Sequence, residues 1–244
     1  TNGTIDASSI NTITEEAALI LTLYDPSANI IGLEDVDMVL SDTSLTDIKV
    51  LTDLDLSTSG TINADSVNFM TGLLASLLAL YDFQGINGID ATNFILTDTS
   101  INSISTLNSL DLSTTGSIDA SGVTIITGLL ASTIALYDPS SGVIGIDDMD
   151  YKITDSTINV DNLNILDNNT TGDIDTGSVT VISGLLATLL TLYGSLSGVS
   201  GLEAMDYLLT DTTLDDTAGL TALDLSTNGT IDASSINTIT EEAA

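Results

Sequence analysis

The chain has 244 residues, 43% of them hydrophobic, so it can bury a sizeable core; aromatics are only 4%, and thin aliphatic layers suit that composition better than one thick globular core. Its 35 acidic residues face two basic ones, Lys49 and Lys152, for a net charge of −33. That excludes the cationic surface of a nucleic-acid binder and opposes approach to an anionic membrane. The absence of Cys and His removes disulfides and excludes zinc, copper and haem sites.

The first stretch, GTIDASSINTIT, alternates β-branched with polar and small residues, as short strands around a corner do. Thr14 stands where a helix N-cap belongs, ahead of EEAALILTLYD. Glu15 and Glu16 favour its first turn, and Asp25-Pro26 stops it. Beyond Gly32, VDMVLSDTS reads as extended again, and LTDIKVLTDLDLST returns to helical spacing. The same succession restarts at Gly60. TINADSVNFM is extended, and Leu73, Leu74, Leu77, Leu78 and Tyr81 trace one helix face. Thr71, Thr127 and Ser183 take the cap position of Thr14, and Asp138-Pro139 repeats the stop. In the second helical stretch Ile101, Ile104, Leu107 and Leu110 step by three, which suits a tight helix or a coiled solenoid edge equally.

The turn glycines Gly3, Gly60, Gly116, Gly172 and Gly229 recur at a near-constant interval of about 56 residues, the mark of a repeat architecture. Tyr24, Tyr81, Tyr137 and Tyr193 keep the same period, as do Asp42, Asp98, Asp155 and Asp211 of an (S/T)D(T/S) motif. The chain is a tandem array with repeats at approximately 3–59, 60–115, 116–171 and 172–228 and a partial one at 229–244. Its first eighteen residues, TNGTIDASSINTITEEAA, return as residues 227–244. The expectation is an excerpt of a longer array, or a piece whose end joins its own copy. The predicted fold is a single continuous α/β solenoid, a right-handed stack of parallel strands and short helices, with about 28 residues per coil and two coils per repeat. A β-solenoid is the alternative. Equivalent residues of successive repeats would then stack, with Asp6, Asn63, Asp119, Asp175 and Asp232 forming one ladder and the (S/T)D(T/S) aspartates another.

The richest acidic clusters follow the mid-repeat glycines: Glu34, Asp35 and Asp37; Asp90; Asp147, Asp148 and Asp150; Glu203 and Asp206. Carboxylates in flexible loops are hard oxygen ligands of the kind Ca²⁺ takes. Their spacing matches no strong calcium motif, and a solvated acidic face is the competing reading. The tyrosines read as amphipathic helix ends, ring inward and hydroxyl outward, rather than as a sugar-stacking stripe. Every acidic constellation recurs from repeat to repeat, so no carboxylate pair is marked out for catalysis, and the chain is expected not to be an enzyme.

The phrases GTIDASSINTIT, TGLLASLLALYD, LTDTSI and LNSLDLSTTGSIDAS resemble the repeats of very long tandem-repeat bacterial cell-surface and extracellular proteins, notably of marine cyanobacteria. The resemblance covers the whole chain and rests on short motifs rich in Thr, Ser, Asp and Gly. It implies a secreted, acidic structural protein of the cell surface that self-associates into a filament or layer, with cell-envelope glycans as further partners. It brings no catalytic residues. An adhesin stalk or a calcium-dependent binding module is the alternative function. No insertion into a membrane is expected.

Overall fold

The structure, a computed structural model, describes residues 3–195, 198–202 and 204–240. Each repeat supplies five short strands, at positions named a to e, and two helices. The first holds β1 (Ile5–Asp6, a), β2 (Thr12–Glu15, b), α1 (Ala17–Leu23), β3 (Ile30–Ile31, c), β4 (Asp37–Leu40, d), β5 (Ser44–Leu45, e) and α2 (Lys49–Asp55). The second follows the same order with β6 (Ile62–Asn63), β7 (Phe69–Gly72), α3 (Leu74–Ala79), β8 (Ile86–Asn87), β9 (Asn93–Leu96), β10 (Ser100–Ile101) and α4 (Ile104–Ser113). The third has β11 (Ile118–Asp119), β12 (Ile125–Gly128), α5 (Leu130–Ile134), β13 (Val143–Ile144), β14 (Asp150–Ile153), β15 (Thr157–Asn159) and α6 (Val160–Asn169). The fourth has β16 (Ile174–Asp175), β17 (Val181–Gly184), α7 (Leu186–Ser195), β18 (Val199–Ser200), β19 (Asp206–Leu209), β20 (Thr213–Leu214) and α8 (Thr217–Ser226). β21 (Ile231–Asp232) and β22 (Thr238–Ile239) open positions a and b once more.

The alternation of parallel strands with short helices is an α/β repeat fold. The second apolar stretch of each repeat, which the sequence leaves open between helix and strand, forms α2, α4, α6 and α8. By compactness the chain makes two units, residues 1–99, 106–122 and 142–145, and residues 100–105, 123–141 and 146–244. The first unit contains the sheets β1-β3, β2-β4-β6-β8 and β5-β7-β9-β11-β13. The second contains β10-β12-β14-β16-β18, β15-β17-β19-β21 and β20-β22.

Every strand pair is parallel, and partners lie a little under half a repeat apart in sequence, as in Ile5 with Ile30, Met38 with Ile62 and Tyr151 with Ile174. Parallel neighbours need a long crossover of this kind, and the helices supply it. Both five-stranded sheets carry the order e-b-d-a-c. The shorter sheets are parts of that order. The two halves of a repeat are unequal, unlike the expected two coils of about 28 residues each. From Ile5 to Ile30 the chain passes through a, b and one helix; the run from Ile30 to Ile62 is longer, because the second half carries an extra strand at e. Strands c and d therefore pair with the half before, and d and e with the half after. Each sheet ends at c, and a new one starts at e.

The ladder expectation is corrected for the same reason. Equivalent positions of successive repeats lie in different sheets. Asp119 is flanked by Ile95 and Ile144, Asn63 by Val39 and Asn87, and Asp175 by Lys152 and Ser200. The carboxylates of this set thus meet apolar, hydroxyl or cationic neighbours. Like charges directly opposite one another across strands would destabilise the pair.

The helices bury a narrow stripe in steps of three: Leu74, Leu77 and Leu80; Ile104, Leu107 and Leu110; Val160, Leu163 and Leu166. Three such residues span about 120° of a helix surface, enough to seat one face of a short helix. Leu73, expected on the buried face, is exposed, and Leu80, on a 3₁₀ turn that continues α3, is buried in its place.

Candidate functional site

Two corners of the repeat lie against each other. At the a–b corner Asp6, Asn63, Asp119, Asp175 and Asp232 each accept a hydrogen bond from the amide two residues on, at 2.8–3.0 Å. Such Asx turns are what short acceptor side chains favour. At the c–d corner Gly32, Gly88, Gly145 and Gly201 adopt φ of +83°, +83°, +77° and +94°, where side-chain-bearing residues are strained. The two corners touch: a Cβ on Gly145 would fall 2.8 Å from the Ser121 amide nitrogen. The tyrosines lock the c–d corner. The Tyr24, Tyr81 and Tyr137 hydroxyls donate to the carbonyls of Leu33, Ile89 and Ile146 at 2.9, 3.2 and 2.9 Å. The hydroxyls therefore point to the main chain and not outward as expected, and burial pushes all three phenols above their ordinary pKa.

The acidic residues read as calcium candidates fall into two groups. Glu34 and Asp35, Asp90, and Asp147 and Asp148 sit on the exposed c–d turn. There the carbonyls of Glu34, Asp90 and Asp147 accept the amides of Ser59, Thr115 and Thr171, each at 2.7 Å. Asp37, Asp150 and Asp206 open strand d and are already engaged. Asp37 accepts the Thr61 amide and hydroxyl at 2.7 and 2.9 Å, and Asp206 those of Thr230 at 2.7 and 2.8 Å. Asp150 accepts the Asp173 amide at 2.8 Å. Asn93 does the same for Ser117, so this place needs an acceptor, not a charge. Glu203 lies outside the described residues. Among the described residues no three carboxylates converge closely enough to hold a metal ion. The two lysines have carboxylate neighbours, Lys49 with Asp53 and Lys152 with Asp175 at 3.9 Å.

The expected N-caps are corrected. Thr14, Thr71, Thr127 and Ser183 lie within strands β2, β7, β12 and β17. The residues flanking α1, α3 and α5, namely Glu16, Leu73 and Leu129, make no side-chain cap. The first helical amides, of Ala17, Leu74, Leu130 and Leu186, donate to Asp42, Asp98, Asp155 and Asp211 at 2.7–2.8 Å. The register dictates this. Glu15 pairs with Leu40, so the residue two beyond each strand end, Asp42, lies beside Ala17. The (S/T)D(T/S) aspartate is thus a helix cap delivered from the end of the paired strand. Asp155→Ala should cost about 1 kcal/mol, the usual worth of a lost cap. Asp155→Asn, which keeps the acceptor, should restore most of it in urea denaturation.

A Thr-x-Gly clamp holds the remaining corner. Thr58, Thr114, Thr170 and Thr227 donate from Oγ1 to the carbonyls of Val36, Thr92, Met149 and Met205 at 2.8–3.0 Å. The same Oγ1 atoms accept the amides of Gly60, Gly116, Gly172 and Gly229 at 2.9–3.0 Å. Sequence reading missed this clamp. Its signal is the recurrence of Thr two residues before each internal turn glycine.

Hydrogen bonding also sets a pH dependence. The Thr61 amide and hydroxyl hold Asp37 below the usual carboxylate range, and Thr230 does the same for Asp206. A carboxylate held low stabilises the folded chain above its unfolded pKa of about 3.9. That stability is lost as pH falls through the folded value. Thr230→Val should move the Asp206 midpoint upward, read by carboxyl ¹³C titration. The stability gap between variant and parent, open at pH 7, should narrow in acid.

Among the described residues the arrangement is a set of main-chain clamps that recurs from repeat to repeat. Comparison with family models, curated proteins and solved structures gives no match.

Proposed function

We propose that the chain is an extracellular structural protein, a continuous α/β solenoid that elongates end to end into a fibre, filament or surface layer. The observation that carries this reading is the recurring e-b-d-a-c order, with pairing partners always a little under half a repeat apart. Each strand pairs only with its neighbours in that order, one at e and c and two at b, d and a, and each repeat opens a new sheet at e, so the scheme has no internal limit on length. Stability is then a sum of repeats and their interfaces. The exposed acids Glu34, Asp35, Asp90, Asp147 and Asp148 form a solvated coat on this reading, consistent with the chain's net charge of −33. Such a coat repels lateral contact at low salt and tolerates high salt. The resemblance to bacterial cell-surface repeat proteins supports the location.

Electron microscopy of the concentrated 244-residue chain tests the reading. Uniform filaments or sheets many chain lengths long, assembling faster as salt is raised, are the expected result. Particles that stay one chain long at every salt concentration contradict it.

A further inference from the structure

Asn-Gly occurs at Asn2, Asn87 and Asn228, and Asn2 lies outside the described residues. Asn87 and Asn228 are both exposed, but the glycine amides that follow them differ. The Gly229 amide donates to Thr227 Oγ1 at 2.9 Å in the Thr-x-Gly clamp. Gly88 follows β8, the c strand that ends the sheet β2-β4-β6-β8. The Asn87 carbonyl accepts the Ala64 amide at 2.8 Å, towards β6. The 87–88 peptide is trans, so the Gly88 N–H points the opposite way, to the unpaired edge of the sheet. The only side-chain hydrogen bond of Asn87 among the described residues is a long one, from Nδ2 to the Gly85 carbonyl at 3.4 Å.

The surroundings of Asn87 also differ from those of its equivalents. In the other repeats this place on strand c holds Ile31, Ile144 and Ser200, and each faces an aspartate on strand a: Asp6, Asp119 and Asp175. Asn87 faces an amide instead, Asn63. The Asn63 Nδ2 donates to Asp65 Oδ2 at 3.0 Å, and Asp65 packs against Gly88, where a Cβ would fall 2.6 Å from the Asp65 amide nitrogen. Only glycine fits there, and without a side chain it leaves its amide uncrowded. A carboxylate arising on strand c would face a like charge in each of the other three repeats, but not at residue 87.

We propose that Asn87-Gly88 is a self-modification site, at which Asn87 loses ammonia and becomes a carboxylate in the folded chain. Once the side chain turns from the Gly85 carbonyl, the Gly88 nitrogen attacks Asn87 Cγ. The N–Cγ bond forms and the Cγ–Nδ2 bond breaks. The Gly88 amide proton passes through water to the leaving nitrogen, which departs as ammonia. A five-membered succinimide remains, closed by two groups already held side by side in one chain. Water then opens the ring. Cleavage of the N–Cγ bond returns the ordinary main chain with an aspartate side chain. Cleavage between the Gly88 nitrogen and the main-chain carbon of residue 87 leaves an isoaspartate, with the chain running through the former side chain. Both products put a negative charge opposite Asn63, where a neutral amide stood. At Asn228 the same closure must first take the Gly229 amide from Thr227 Oγ1.

Incubation of the full chain at neutral pH, followed by peptide mass spectrometry with fragmentation, reads both sites in one sample. Conversion at Asn87 should run about fivefold faster than at Asn228, the factor set by the hydrogen bond that Gly229 must give up. In urea, where both amides are free, the ratio should fall towards one. Thr227→Val, which frees the Gly229 amide, should raise the Asn228 rate towards that of Asn87, and Asn87→Gln should remove the product at 87. The urea comparison needs no variant, so it decides the matter if Thr227→Val does not fold. Equal rates in the folded chain, an Asn87 that converts only in urea, or a ratio that persists unchanged in urea overturns the proposal. Melting at low salt reads how the sheet takes the new charge. Asn87→Asp should melt close to the parent, whereas Ile144→Asp, facing Asp119, should melt below Ile144→Asn. A loss at 87 as large as that at 144 overturns the role given to Asn63.

Discussion

Gly116→Ala is expected to destabilise the chain by about 1–3 kcal/mol, the usual cost of forcing extra carbon into a filled space. Gly3→Ala, at the same place in the sequence motif, should change stability by less than about 0.5 kcal/mol. The difference is a neighbour. A Cβ on Gly116 would overlap the Thr92 carbonyl oxygen and approach the Ala91 carbonyl oxygen to 3.0 Å, whereas at Gly3 nothing lies within 4 Å. The Thr92 carbonyl cannot retreat freely, because it accepts the Thr114 hydroxyl at 3.0 Å in the Thr-x-Gly clamp. Urea denaturation reads both variants as a shift in midpoint at constant slope. Equal costs at the two glycines would mean that the motif serves a local turn and not the contact between strand pairs.

Leu110→Ala should cost about 2–5 kcal/mol, and Leu112→Ala, two residues along the same helix, less than about 0.5 kcal/mol. Leu110 is fully buried and Leu112 is 88% exposed. Removing three carbons at Leu110 leaves a cavity, and the cost grows with the part of it that the surroundings cannot fill. The pair tests the three-residue stripe: the two residues lie on opposite sides of α4, so a helix turned to present its other side would reverse the ranking. Leu56 and Leu225 share the exposure of Leu112, so Leu56→Ala and Leu225→Ala should be as mild.

The repeat was legible in the sequence because its glycines, tyrosines and aspartates each answer one local demand at one place per repeat. The first helix of each repeat was legible too, through Leu74 and Leu77 of α3, whereas the three-residue steps of Ile104, Leu107 and Leu110 left the second open. The pairing register was not. Self-similarity aligns Ile62 with Ile5, one full repeat back, but hydrogen bonding pairs Ile62 with Met38 and Ile86. A repeating sequence announces its translational period; the register follows from how many strands fill each half, and the extra strand at e is only two residues long in β5, too short for alternation to reveal. The caps were misread for a related reason. Thr14 is next to its helix in sequence, but Asp42 is next to it in space. For the acidic candidates, Asp37 and Asn93 show why composition misleads: both serve as acceptors for a residue 24 positions on, a partner that no local motif announces.

Strands touch partners a little under half a repeat away and not one repeat away. A double substitution, Asn63→Cys with Asn87→Cys, places thiols on paired positions of β6 and β8. Asn63→Cys with Asp119→Cys places them on equivalent positions of successive repeats. After mild oxidation of dilute protein, mass spectrometry should find the intramolecular disulfide in the first variant alone. A 63–119 disulfide with free thiols in the 63–87 variant would contradict the account.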